Sequence, residues 1–122
     1  MSRLLAMAIP VLQGQEQEME KFATALKDDH YEDFQASRKK LGVRERAFLQ
    51  QTPMGQLVVV TLEGEDPEGA FAEFAKKDDA FTKWFMESVK KIHGLDLTAP
   101  PPGAFPTLMV DSGPVEETIA AV

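Results

Sequence analysis

The stretch that most constrains this chain is Leu57-Val58-Val59-Val60-Thr61-Leu62, an unbroken aliphatic run rich in β-branched residues. It is too short for an ordinary helix, and it lacks the apolar–polar alternation of a half-solvated strand. Such a run reads as a strand buried on both faces. A chain of 122 residues makes one domain, with core enough to fold without staples. Two buried faces need two covers. The chain's own helices can supply one. A second copy of the chain is the simplest source of the other.

The remaining segments supply the helices and the other strands. Arg3 to Ile9 reads as a first strand, with Leu5, Met7 and Ile9 on one face and the smaller Leu4, Ala6 and Ala8 on the other; Pro10 ends it. A helix opens at Gln15, where Met19, Phe22, Ala23 and Leu26 fall on one stripe. At 100° per residue that stripe continues through His30, Phe34, Ser37 and Leu41, across the interruption at Asp28 and Asp29. This is either one long helix or two short ones sharing a face, with Asp29 and Glu32 as a capping box for the second. Gly42 closes it. Val43 to Thr52 is a wetter strand, joined to the central run by the turn Thr52-Pro53-Met54-Gly55.

Asp66 and Pro67 start the next helical region, whose stripe is Phe71, Phe74, Phe81, Phe85, Val89 and Ile92. Asp78 lies on that stripe. A break with a new cap at Asp78-Asp79 avoids the several kcal/mol that an unpaired buried carboxylate would cost. Lys90, Lys91 and His93 suit the helix's negative end, and Gly94 stops it. Thr98 to Pro106 is a proline-rich loop, Thr107 to Asp111 a short final strand, and residues 112–122 a tail.

The order β-α-β-β-α-β is the split βαβ arrangement of an α+β, ferredoxin-like domain over residues 1–111: a four-stranded antiparallel sheet with its helices on one face. In that topology the first and third strands are central, and these are the most apolar here. The charged second strand and the short, proline-preceded fourth are suited to edges. The face away from the helices would be covered by a sheet-to-sheet homodimer.

Composition excludes several function classes. The formal charge of −7 argues against nucleic acid and anionic membrane surfaces as partners. With no cysteine, disulfides and thiol chemistry are out. Leu4 to Ile9 is at the short limit for a secretory core and no small-residue cleavage site follows it, so the expectation is a soluble, cytoplasmic protein. Two histidines without ligand-spaced companions do not make a metal site. There is no glycine-rich phosphate loop and no serine elbow.

Three stretches carry a family likeness: Gly42-Val43-Arg44-Glu45 through Gln50-Gln51-Thr52-Pro53, the run Leu57 to Glu63, and Phe81 with Trp84-Phe85. Through them the chain resembles the dimeric α/β-barrel superfamily from Arg3 to about Asp111, and within it the antibiotic-biosynthesis-monooxygenase-like group. The resemblance implies a cleft between helices and sheet in each subunit. Members oxidise aromatic polyketides with dioxygen and no metal or flavin, degrade haem, or only bind small molecules. The expected function is accordingly a cofactor-independent monooxygenase of a small aromatic or enolic substrate. The alternatives are a non-catalytic small-molecule-binding or stress-related module, and a haem protein whose axial ligand would be His30 or His93.

The candidate catalytic residues are His30 and Trp84. His30, oriented by Asp33, would be a general base near neutral pH; the other reading puts it in a solvated helix break. Trp84 either lines a pocket for a flat ligand or packs at an interface. Tyr31, Arg46, Phe48 and Phe85 are candidate substrate contacts. Arg44 and Arg46 either hold an enolate oxygen or protect an edge strand by ion pairing. His93 reads as a helix-end cation.

Overall fold

The computed structural model describes residues 2–100 and 103–115. Its element order is β1 (Arg3–Pro10), α1 (Glu16–Lys27), α2 (Tyr31–Leu41), β2 (Val43–Thr52), β3 (Gly55–Gly64), α3 (Pro67–Ala75) and α4 (Ala80–His93). The three strands form one antiparallel sheet in the order β1-β3-β2, so the apolar run is the central strand. Both helical regions break as their composition suggested. Asp28 ends α1 and α2 starts afresh, while α3 and α4 part at 76–79.

Local chemistry explains most boundaries. Asp66 accepts a hydrogen bond from the Gly69 amide, with Pro67 in the first turn of α3. Asp79 accepts from the Thr82 amide at 3.1 Å and from the Thr82 hydroxyl at 2.8 Å, opening α4. That pairing holds the Asp79 carboxyl below its usual range, chiefly through the Thr82 hydroxyl. Gly42 and Gly94 close α2 and α4 with φ of +73° and +69°, the left-handed conformation that glycine adopts without strain. Gly64, at the other end of β3, is required for a different reason: a Cβ there would run into the backbone carbonyl of Gly42.

The register assigns every strand residue to a face. Leu5, Leu62 and Glu45 lie in one cross-sheet row, and Ile9, Val58 and Leu49 in another, on the face under the helices. There Leu5, Val58 and Leu62 are buried, close to Met19, Phe22, Phe74, Phe85, Val89 and Ile92 in the core. The opposite face carries Leu4, Ala6, Ala8, Val59, Phe48, Arg44 and Arg46. No element among the described residues covers it, and Leu4 and Phe48 are 59% and 58% exposed. The central run is thus sheltered by the chain's own helices on one side only.

Two expectations are corrected. Thr107 to Asp111 forms no strand; Leu108, Met109 and Val110 are 72%, 87% and 83% exposed. Strand propensity without a cross-strand neighbour does not make a ladder, and the chain before this segment is occupied elsewhere, with Phe105 edge-on against Phe71 of α3 at 5.4 Å. Among the described residues the sheet therefore has three strands rather than four, and β1 is an edge. The second correction concerns α2: its N-cap is His30, without a side-chain capping bond, rather than Asp29 with Glu32. Glu116, Glu117 and the rest of the tail beyond residue 115 lie outside the described residues, as do Pro101 and Pro102. No helix among the described residues is long and apolar enough to cross a membrane.

Candidate functional site

Between the helices and the covered face of the sheet lies a cavity of about 710 Å³, within the range of small-molecule sites. The helices contribute Met19, Phe22, Phe34, Phe74, Phe85 and Val89 to its wall; the sheet contributes Met7, Val58 and Val60. The segment after α4 turns back across the mouth, adding Leu97 and Phe105. The wall is overwhelmingly apolar. Its few polar side chains therefore decide what can be bound and how it is oriented.

Arg38 is the principal one. It projects from α2 into the core and is 8% exposed; its partner Glu45, on the inward face of β2, is 12% exposed. The Arg38 Nε donates to Glu45 Oε1 at 2.7 Å and Nη1 donates to Ser37 Oγ at 2.8 Å. Three rings crowd the guanidinium, with the centroids of Phe74, Phe85 and Phe34 at 4.5, 4.7 and 4.9 Å from its central carbon. A cation over ring faces is stabilised by their quadrupoles, most effectively where water is excluded.

His93 also lines the cavity, from the last turn of α4. Its Nδ1 is 2.8 Å from the carbonyl oxygen of Pro10, where β1 ends. A carbonyl oxygen only accepts, so Nδ1 carries the proton and donates it. When the ring is neutral, Nε2 then holds the free lone pair. Burial lowers the His93 pKa and favours that neutral ring, with the Pro10 hydrogen bond opposing the shift. Lys27 and Asp96 also border the cavity; the Arg38–Glu45 pair and His93 stand far apart. Glu45 is in register with Leu62, and Pro10 with Leu57, a separation along β3 of about 17 Å at roughly 3.4 Å per residue.

The structure divides the six expected site residues among three places. Tyr31 and Phe85 line the cavity; Gln35 Nε2 donates to the Tyr31 hydroxyl at 3.0 Å. His30 and Trp84 are not part of its wall. They stack on one another at 4.0 Å, with Trp84 also 5.2 Å from Phe22, which stands between Trp84 and the cavity. The break between α1 and α2 swings His30 out of the stripe that a continuous helix would have given it. His30 Nδ1 is 3.8 Å from Asp33, an ion-pair separation beyond hydrogen-bond reach, and has no hydrogen-bond partner among the described residues. Arg46 and Phe48 share a face, as the alternation of β2 requires, but it is the face away from the cavity. There Arg46 pairs with Glu63 at 3.1 Å, the cross-strand ion-pairing alternative.

Arg38 and Glu45 are not among the expected site residues, and His93 is expected only as a helix-end cation or an axial haem ligand. A signal for Arg38 existed: it follows Phe34 by four residues and precedes Leu41 by three, so it shares their face. No group of three or more potential metal-ligating side chains occurs among the described residues. No protein-family model, curated protein or solved structure matches the chain.

Proposed function

We propose that the chain binds a small, flat, largely apolar molecule in the helix–sheet cleft and oxidises an enolic or phenolic substrate there with dioxygen. The observation that carries this is the 710 Å³ apolar cavity with the imidazole of His93 on its wall. The catalytic base moves from His30 to His93, because His93 borders the cavity and has its proton fixed on the nitrogen that faces Pro10. The Nε2 lone pair takes a proton from the substrate, and the carbanion or enolate so formed passes electrons to dioxygen. The balance for a methylene beside a phenolic ring is one substrate and one O2 in, one carbonyl product and one water out. One oxygen atom ends in the new C=O; the other leaves as water with the two hydrogens of the substrate. After deprotonation the chemistry belongs to the substrate, so a site of this kind needs to orient, desolvate and deprotonate.

A sheet-to-sheet homodimer completes the proposal. The uncovered face, with Leu4, Ala6, Ala8, Val59 and Phe48, supports it, since a contiguous exposed apolar patch marks an association surface.

The test is oxygen uptake by metal- and flavin-free protein with hydroquinone-like and anthrone-like substrates. Turnover should be lost in His93→Gln and kept in His30→Ala. Binding of the same compounds without oxygen uptake would favour the non-catalytic module, which shares the cavity and lacks the reaction. Haem is the third reading. Of the two histidines only His93 borders the cavity, and an Nδ1–carbonyl hydrogen bond is the arrangement that orients an axial imidazole. The chain contains no asparagine, so the Asn, Trp and His set of haem-degrading members of the group it resembles is not available. The native mass of protein from its own cells separates these readings, through a dimer mass and any retained ligand.

A further inference from the structure

We infer that Arg38 is the specificity-determining contact of the cleft: its Nη2 edge receives a carbonyl-type oxygen on an otherwise apolar aromatic ligand, and favours a neutral ketone or quinone over a carboxylate. This rests on the reading that the cleft binds a small molecule, and names the class of group it reads.

The argument begins with the donors of the guanidinium. It has five N–H groups in a fixed planar fork. Nε is spent on Glu45 and one Nη1 hydrogen on Ser37. Nη2 makes no hydrogen bond among the described residues, and Arg38 lines the cavity. Phe34, Phe74 and Phe85 crowd the guanidinium and make its surroundings largely apolar. Nη2 is not among the buried side-chain atoms left without a partner, so it is open to approach, and an acceptor on a ligand can make a charge-assisted hydrogen bond to it.

The charge argument selects the acceptor. Glu45 sits 2.7 Å from Nε and is nearly as buried as Arg38, so the pair is neutral as a unit. A carboxylate entering beside it would be a third charge, with its own desolvation cost and Glu45 repelling it. A carbonyl oxygen accepts from Nη2 without adding charge. The rings around Arg38 then lie beside whatever carries that carbonyl, which suits a flat aromatic body. A buried Arg–Glu pair is in itself weak evidence of stabilisation, since apolar residues of similar volume often do as well. Retaining such a pair on the wall of a cavity is the expected pattern when its spare donors have work to do on a ligand.

Three probes of one shape separate the possibilities: 2-ethylnaphthalene, 2-acetonaphthone and 2-naphthoate, each titrated by calorimetry into the full chain. The ketone should bind about tenfold or more tighter than the hydrocarbon, the usual scale for a buried hydrogen bond to a charged donor, and the carboxylate no tighter than the ketone. The comparison is repeated in Arg38→Met/Glu45→Leu, which removes the pair without stranding a charge, and in Arg38→Lys, which keeps the charge but not the fork. In both, the ketone preference should collapse while binding of 2-ethylnaphthalene persists and circular dichroism is unchanged. Equal binding of ketone and hydrocarbon by the parent chain overturns the role of Arg38 and leaves the cleft reading standing. A carboxylate favoured tenfold overturns the choice of a neutral group. A ketone preference that survives the double substitution locates the contact elsewhere. Failure of all three probes to bind overturns this inference and the small-molecule reading together.

Discussion

The two faces of β3 are built from the same residue types and meet opposite fates. On one, Val58 and Leu62 lie under four helices, at 4% and 5% exposure. On the other, Leu57, Val59 and Thr61 are half-buried with only their flanking strands beside them among the described residues, and neighbouring Leu4 and Phe48 stand open. The difference teaches that a continuous apolar run reports what a strand is suited to touch, without saying which chain supplies the contact. The covered face contributes to the folding of a single chain. The open face contributes nothing to that folding beyond its strand pairing, so its apolar character is available for association.

Leu62→Ala should break the covered side. It removes a buried side chain in register with Leu5, and denaturant titration should show a loss of about 2–5 kcal/mol. Thr61→Ala, one residue away on the other face, should cost far less. A comparable loss at both positions would mean that the open face is covered after all. Next in size is the cap that holds part of the cover in place. Asp79→Ala removes both contacts to Thr82 and should cost about 1 kcal/mol, read by thermal melting. Because the carboxyl is held below its usual range, its contribution is present above the ordinary carboxylate pKa and is lost as pH falls through the folded value. The parent and the variant should therefore converge in strong acid.

On the open side, Leu4→Ser/Phe48→Ser should shift the stability of the isolated chain by no more than about 0.5 kcal/mol. It should also remove the proposed dimer from the native mass spectrum. A dimer that survives the double substitution would break the assignment of this face. The smallest effect concerns His93, at the rim of the covered side. Its folded pKa lies below the ordinary 6.5, so below that value the unfolded chain binds more protons than the folded one. Stability should fall as pH drops from about 7 toward 5, and His93→Gln should flatten that slope. An unchanged slope would show that the ring is not sheltered by the core.

Much of the fold was legible because its signals are local. Asp66 with Pro67, Asp79, Gly42 and Gly94 act within a turn of where they stand, and each marks the boundary it was expected to mark. The strand at Thr107 to Asp111 failed for the complementary reason. Its propensity is local, but a ladder needs a partner, and no neighbouring strand comes to it. The site was less legible than the fold. Counting through a continuous helix puts His30 inward, and the alternative of a helix break at Asp28 and Asp29 is the one the structure adopts. The alternation of β2 correctly put Arg44, Arg46 and Phe48 together, and equally put Glu45 opposite them; nothing in the strand says which face meets the helices. Arg38 and His93 become neighbours of one cavity only when α2, α4 and the sheet are assembled. That is a product of packing, and spacing along the chain does not carry it.

The contact between Gly64 and the Gly42 carbonyl limits how such a sequence can drift over time. A side chain at position 64 needs the α2–β2 junction to move aside, and that junction turns on a left-handed glycine which resists replacement in its turn. Each position resists a single substitution for its own reason, one through a clash with backbone and the other through its left-handed conformation. These two positions, far apart in the chain and touching in space, are therefore constrained through the course of the backbone between them.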